Sequence, residues 1–93
     1  MKNNKQEKPK WFKGAWYTQG DMVENPFSGD KYLLTGPELS MYDFIKGAEF
    51  TIAMQSNDMT ELHPDTIRLQ KDMIKGIDWF RSANPTAYMT LLD

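Results

Sequence analysis

The chain contains no cysteine, which excludes disulfide frameworks, thiolate zinc sites and thiol catalysis together. It has one histidine, His63, so any Ser/His/Asp arrangement would have to run through that residue. None of Ser28, Ser40, Ser56 and Ser82 sits in a nucleophile-elbow context. Glycines are spread one to a turn at Gly14, Gly20, Gly29 and Gly36, so no phosphate-cradling loop is formed. His63 stands near Glu61 and Asp65, but one imidazole and two carboxylates fall short of a metal-ligand set, and it reads as a helix-start residue. No apolar run approaches the roughly 20 residues of a membrane span, and the start MKNNKQEKPK lacks the apolar stretch of a secretory signal. These absences predict a cytoplasmic, non-enzymatic protein with no cofactor, no metal and no membrane contact.

What is present fits one small domain. Ninety-three residues, 40% hydrophobic and 26% charged, have ordinary globular composition but enclose only a thin core. The net charge of −2 hides an asymmetry. Lys2, Lys5, Lys8, Lys10 and Lys13 stand against Glu7 alone, while the other 80 residues hold six basic and twelve acidic side chains. Up to Pro9 the segment has almost nothing to pack, so residues 1–10 read as a flexible basic tail and residues 11–93 as a single domain.

Asn25-Pro26-Phe27-Ser28-Gly29-Asp30 is the strongest turn signal in the chain. It predicts a hairpin over about 21–34, with 13–17 as a candidate third strand. Thr35-Gly36-Pro37-Glu38 then reads as a capping box with proline in the first turn; Ser40 with Asp43 is a second candidate cap. The helix that follows should run to about Met54 and break at Gln55–Asp58. At about 100° per residue, Met41, Phe44, Ile45, Ala48 and Ile52 share one face of it, and Leu39, Phe50 and Met54 fall on roughly the opposite side. Pro64-Asp65 opens a second helix, whose stripe is Thr66, Leu69, Met73, Ile74, Ile77 and Phe80. Its other side carries Arg68, Lys71, Asp72, Lys75 and Asp78, with Asp65–Arg68 and Asp72–Lys75 at pairing distance. Trp79 breaks the pattern by projecting near that charged side. Asn84-Pro85 ends the second helix, and Thr86–Leu92 supplies a last turn or two. The expected architecture is α+β: an N-terminal β-hairpin or three-strand meander packed on two antiparallel helices, followed by a short C-terminal helix.

Two surfaces are candidates for function. The first is the apolar surplus at Leu39, Phe50, Met54 and Trp79. A contiguous exposed apolar set points to a partner, and seven methionines suit an adaptable surface, although Met22, Met41 and Met73 read as core. The alternative is that the hairpin and the C-terminal segment cover those residues within one chain. The balance favours a homo-oligomer, with a symmetric dimer first. The second surface is Lys8-Pro9-Lys10-Trp11-Phe12-Lys13, with Trp16 beyond it. Lysines interleaved with aromatics are what single-stranded nucleic acid binding uses. The plainer reading packs Trp11, Phe12, Trp16 and Tyr17 on the core edge, and the acidic body opposes a polyanion.

Asn25-Pro26-Phe27-Ser28-Gly29 and the run from Glu38 to Gly47 resemble small proteins of marine tailed phages, including cyanophages. Asp78-Trp79-Phe80-Arg81, Asn84-Pro85, Ala87-Tyr88-Met89 and Leu91-Leu92-Asp93 resemble the C-termini of the same group. The likeness covers most of residues 14–93 and leaves the tail unmatched. It implies provenance rather than activity: a small factor in an infected bacterial cytoplasm, acting on a host or phage protein, or a minor virion component. It carries over no functional residue. The expectation is therefore a protein-interaction module that self-associates, with single-stranded nucleic acid binding as the alternative.

Overall fold

The computed structural model describes residues 6–57 and 64–92. Along the chain run β1 (Asp21–Glu24), β2 (Lys31–Leu34), α1 (Gly36–Asn57), α2 (Pro64–Ala83) and α3 (Pro85–Leu91). The class is α+β, as the sequence predicts.

The hairpin forms where the turn residues place it. β1 and β2 pair antiparallel, with Asp21 opposite Leu34 and Glu24 opposite Lys31. In the turn, Asn25 Oδ1 accepts the amides of Phe27 at 2.8 Å and Ser28 at 3.3 Å. Gly29 supplies the one positive φ among the described residues, 82°, a conformation that a Cβ disfavours. The Asn25 amide group also donates to the Thr90 carbonyl at 2.9 Å, which fastens the turn to α3. Because side chains alternate across a strand, Val23, Tyr32 and Leu34 face inward, while Met22 and Leu33 form an exposed cross-strand pair. Met22 is thus a surface residue, not core.

Residues 13–17 do not form a third strand. The Tyr17 amide donates to Ser40 Oγ at 2.7 Å, and this segment packs through its rings instead of its backbone. Phe12, 3% exposed, is the hub: its centroid lies 5.8 Å from Trp11, 5.2 Å from Trp16 and 5.5 Å from Phe44. The chain then passes over the start of α1 to reach the hairpin. At that crossing a Cβ on Gly20 would overlap the Leu34 carbonyl, and one on Gly36 would lie 2.5 Å from the Tyr17 carbonyl oxygen. Only glycine allows the two backbones to touch there.

The capping box closes as the spacing predicts. Thr35 Oγ1 accepts the Glu38 amide at 3.2 Å and Glu38 Oε1 accepts the Thr35 amide at 3.0 Å. Ser40, the other candidate cap, lies inside the helix and donates to the Gly36 carbonyl. α1 runs through Asn57, past the expected break at Gln55. Met41, Ile45 and Ala48 are buried, with Phe44 and Ile52 half-buried. The α1 and α2 helices are antiparallel neighbours: Thr66 bonds Gln55 near one end, and Gly76 meets Met41 and Ile45 toward the other. A Cβ at Gly76 would sit 3.1 Å from Met41 Sδ and 3.4 Å from Ile45 Cγ1, so this glycine sets how closely the helices approach. It takes a place in the stripe that Ile74 was expected to share; Ile74 is exposed.

Asn84 separates α2 from α3 and caps the latter, with its Oδ1 accepting the Ala87 amide at 3.1 Å. Ala87 and Leu91 complete the core with Leu34, Met41, Tyr42, Ile45 and Phe80. The pairs Asp65–Arg68 at 3.2 Å and Asp72–Lys75 at 3.9 Å form as the spacing suggests. Among the described residues, no helix is long and apolar enough to cross a membrane.

Candidate functional site

The expected tail makes contacts from Gln6 onward. Gln6 Nε2 donates to Glu38 Oε2 at 2.7 Å, and Gln6 Oε1 accepts from the Thr35 hydroxyl at 2.8 Å. One residue on, the Glu7 carbonyl accepts from Trp79 Nε1 at 3.3 Å. Gln6 and Glu7, which the sequence places in a flexible tail, are therefore held to α1 and α2 by polar contacts.

That strap corrects the reading of Trp79. The indole is half-buried and stands edge-on to Trp16, with centroids 5.7 Å apart. It is out of pattern on α2 because its cover comes from the N-terminal segment, not from α1. A groove of about 390 Å³ between strap and helix is lined by Pro9, Trp11, Lys75, Asp78, Trp79 and their neighbours. Lys75 Nζ lies 5.9 Å from the Trp11 ring centroid. Lys8, Lys10 and Lys13 are exposed, but Trp11 and Trp16 pack half-buried on Phe12, Phe44 and Trp79. The proposed nucleic acid residues are thus split: the cations face solvent, and each tryptophan packs against other aromatic rings.

The proposed apolar set is divided in the same way. Leu39 is half-buried and lies against the core cluster, as Trp79 does. Phe50 and Met54 remain outside, 66% and 57% exposed. Gly47 is on the same helical face, and a Cβ there would meet nothing within 4 Å, so the strip is smooth and open. Lys46 and Glu49, paired at 3.2 Å, stand beside it. A second exposed apolar set lies on the hairpin, where Leu33 is 65% exposed beside Met22, but Glu24 and Lys31 share that face.

A shallow depression of about 590 Å³ is built by the Trp16–Asp21 crossing over α1, with Leu39 and Asp43 below. The Tyr17 hydroxyl donates to Asp43 Oδ2 at 3.0 Å. This hydrogen bond, with the carboxylate's charge behind it, holds the phenol above its ordinary pKa. Asp43→Asn is expected to lower it again. Ultraviolet titration of the four tyrosines should show one phenol moving to lower pH in the variant; identical curves would remove the coupling. A folded-state value raised above the unfolded one contributes stability that is complete below the ordinary phenol range and is lost as pH rises through the raised value. Solvent screening at this exposed pair keeps the effect small.

His63, considered above as a metal ligand, lies outside the described residues, and no cluster among the described residues could hold a metal ion. Sequence reading missed the depression altogether, since its parts come from two separate stretches, residues 16–21 and the first turns of α1, and share no spacing. Compared with known proteins, the chain matches no family model, no curated protein and no solved structure.

Proposed function

We propose that this chain is a non-enzymatic protein-interaction module that self-associates, as a dimer, through the outer face of α1. The observation that carries the reading is the exposed strip of Gly47, Phe50 and Met54, which lies on the helix face turned away from α2. The glycine lets a second helix approach closely, and the two large side chains supply apolar area at the place of closest approach. Burying one phenylalanine contributes about 2 kcal/mol. A symmetric pair buries two, so Phe50→Asp weakens association by about a thousandfold.

Sedimentation or size exclusion at micromolar concentration tests this. The parent should run as a dimer and Phe50→Asp as a folded monomer. A monomeric parent refutes self-association. A dimer that survives Phe50→Asp but dissociates with Leu33→Asp moves the interface to the hairpin. An accessory or minor virion role, the one that the resemblance implies, requires no more than such a surface. The nucleic acid alternative is less well supported, because the acidic body opposes a polyanion and the Trp11 ring already packs against Phe12 and Phe44 with Lys75 over it. A flat tryptophan fluorescence titration with a single-stranded oligonucleotide at low salt would dispose of it.

A further inference from the structure

The depression over α1 brings two aromatic rings and two carboxylates together, and no cation among the described residues lines it. Trp16, Tyr17 and Leu39 form its apolar part, and Asp21 and Asp43 form its charged part. Asp21 Oδ1 accepts the Met22 amide at 2.7 Å, and Asp43 Oδ2 accepts the Tyr17 hydroxyl at 3.0 Å. Each carboxylate thus has one oxygen committed to holding the site in shape. The second oxygen of each has no donor among the described residues. We propose that this depression binds an organic cation, the guanidinium or alkylammonium head of a flexible side chain or polyamine, between the Trp16 and Tyr17 rings and the Asp21 and Asp43 carboxylates.

Three features of the site point the same way. Aromatic faces attract cations through the ring quadrupole, at exposed sites as well as buried ones. Carboxylates whose geometry is already fixed lose little freedom on pairing. The volume suits a head group with part of its alkyl stem, because ligand sites begin at about 300 Å³. Between the two heads, guanidinium fits better. Its plane stacks on a ring while its fork reaches a carboxylate, whereas an ammonium acts as a point charge. An arginine side chain of a partner protein is therefore expected to bind more tightly than a polyamine. This site is separate from the α1 strip, as neither Phe50 nor Met54 lines it, so each proposal can fail without the other.

The test uses the whole chain, with tryptophan fluorescence and amide chemical shifts as readouts. Three probes are titrated: N-acetyl-arginine amide, spermidine, and N-acetyl-citrulline amide as the neutral isostere of arginine. The expected result is saturable shifts around residues 16–21 and 39–43 with both cations, tighter for arginine, and none with citrulline. The Asp21→Asn/Asp43→Asn double variant should bind arginine about tenfold more weakly, the equivalent of about 1.4 kcal/mol. Both aspartates are exposed, and unchanged circular dichroism would show that the fold is kept. Tighter binding of spermidine than of arginine would keep the site and assign it to free polyamines. Equal response to citrulline, affinity unchanged in the double variant, or no shifts with either cation would overturn the proposal.

Discussion

Phe80→Ala should destabilise the chain more than any other single truncation. The ring is fully buried and sits where α1, α2, α3 and β2 converge, 6.4 Å from the Tyr42 ring and in one cluster with Leu34, Met41, Ile45, Ala87 and Leu91. Removing a buried phenylalanine costs about 3–5 kcal/mol, the lost transfer energy plus the cavity left behind. A domain of this size has a total stability of only about 5–14 kcal/mol. The loss should therefore lower Tm by about 15 °C or more and shift the urea midpoint sharply with little change in slope. Phe27, 94% exposed at the hairpin turn, is the control: Phe27→Ala should stay within about 0.5 kcal/mol of the parent. Similar losses at both positions would mean that the core is centred elsewhere.

What could be read from the sequence was local, and what could not depended on distant partners. The hairpin followed from one turn, because Asn25 and Gly29 act within their own loop. The start of α1 followed from one four-residue spacing. The start of α2 followed from Pro64 and its end from Pro85, whose effect reaches only one residue back. By contrast, the strand expected at 13–17 was lost to a side chain on another element, Ser40, which takes the Tyr17 amide. Periodicity places Ile74 in the stripe and passes over Gly76, because it registers apolarity, whereas the helix contact needs smallness. Trp79 looked exposed because a helical projection cannot include a strap 72 residues upstream. The candidate surfaces divide along the same line. Phe50 and Met54 lie outside, as the projection of α1 alone suggests, and Leu39 does not, because the Trp16–Asp21 crossing reaches it.

Glu38 shows how far a local motif can understate a residue. The capping box accounts for one carboxylate oxygen, yet the side chain is 2% exposed, far more buried than a helix cap requires. Its other oxygen accepts Gln6 Nε2 at 2.7 Å and Asn84 Nδ2 at 3.1 Å. Asn84 Oδ1 in turn accepts the Ala87 amide at 3.1 Å and is reached by the Tyr32 hydroxyl at 3.4 Å. One carboxylate therefore joins the N-terminal strap, the start of α1 and the α2–α3 junction, and three neutral donors compensate its burial. Glu38→Ala leaves those donors facing a cavity, and unsatisfied buried groups cost about 1–3 kcal/mol each, without simple additivity. A loss of about 2–4 kcal/mol is expected, second only to Phe80→Ala. Gln6→Ala removes one donor at the edge of the network and should cost less than about 1 kcal/mol. The variants should also differ in kind. Both release the strap, so both should red-shift the fluorescence of Trp79 and speed proteolysis before Trp11. Only Glu38→Ala should also lose amide protection at the starts of α1 and α3, because only it removes the acceptor that holds Thr35 and Asn84 in place. If amide exchange at those two helix starts is equally slow in both variants, Glu38 is a local cap and the three segments are held together by apolar packing alone.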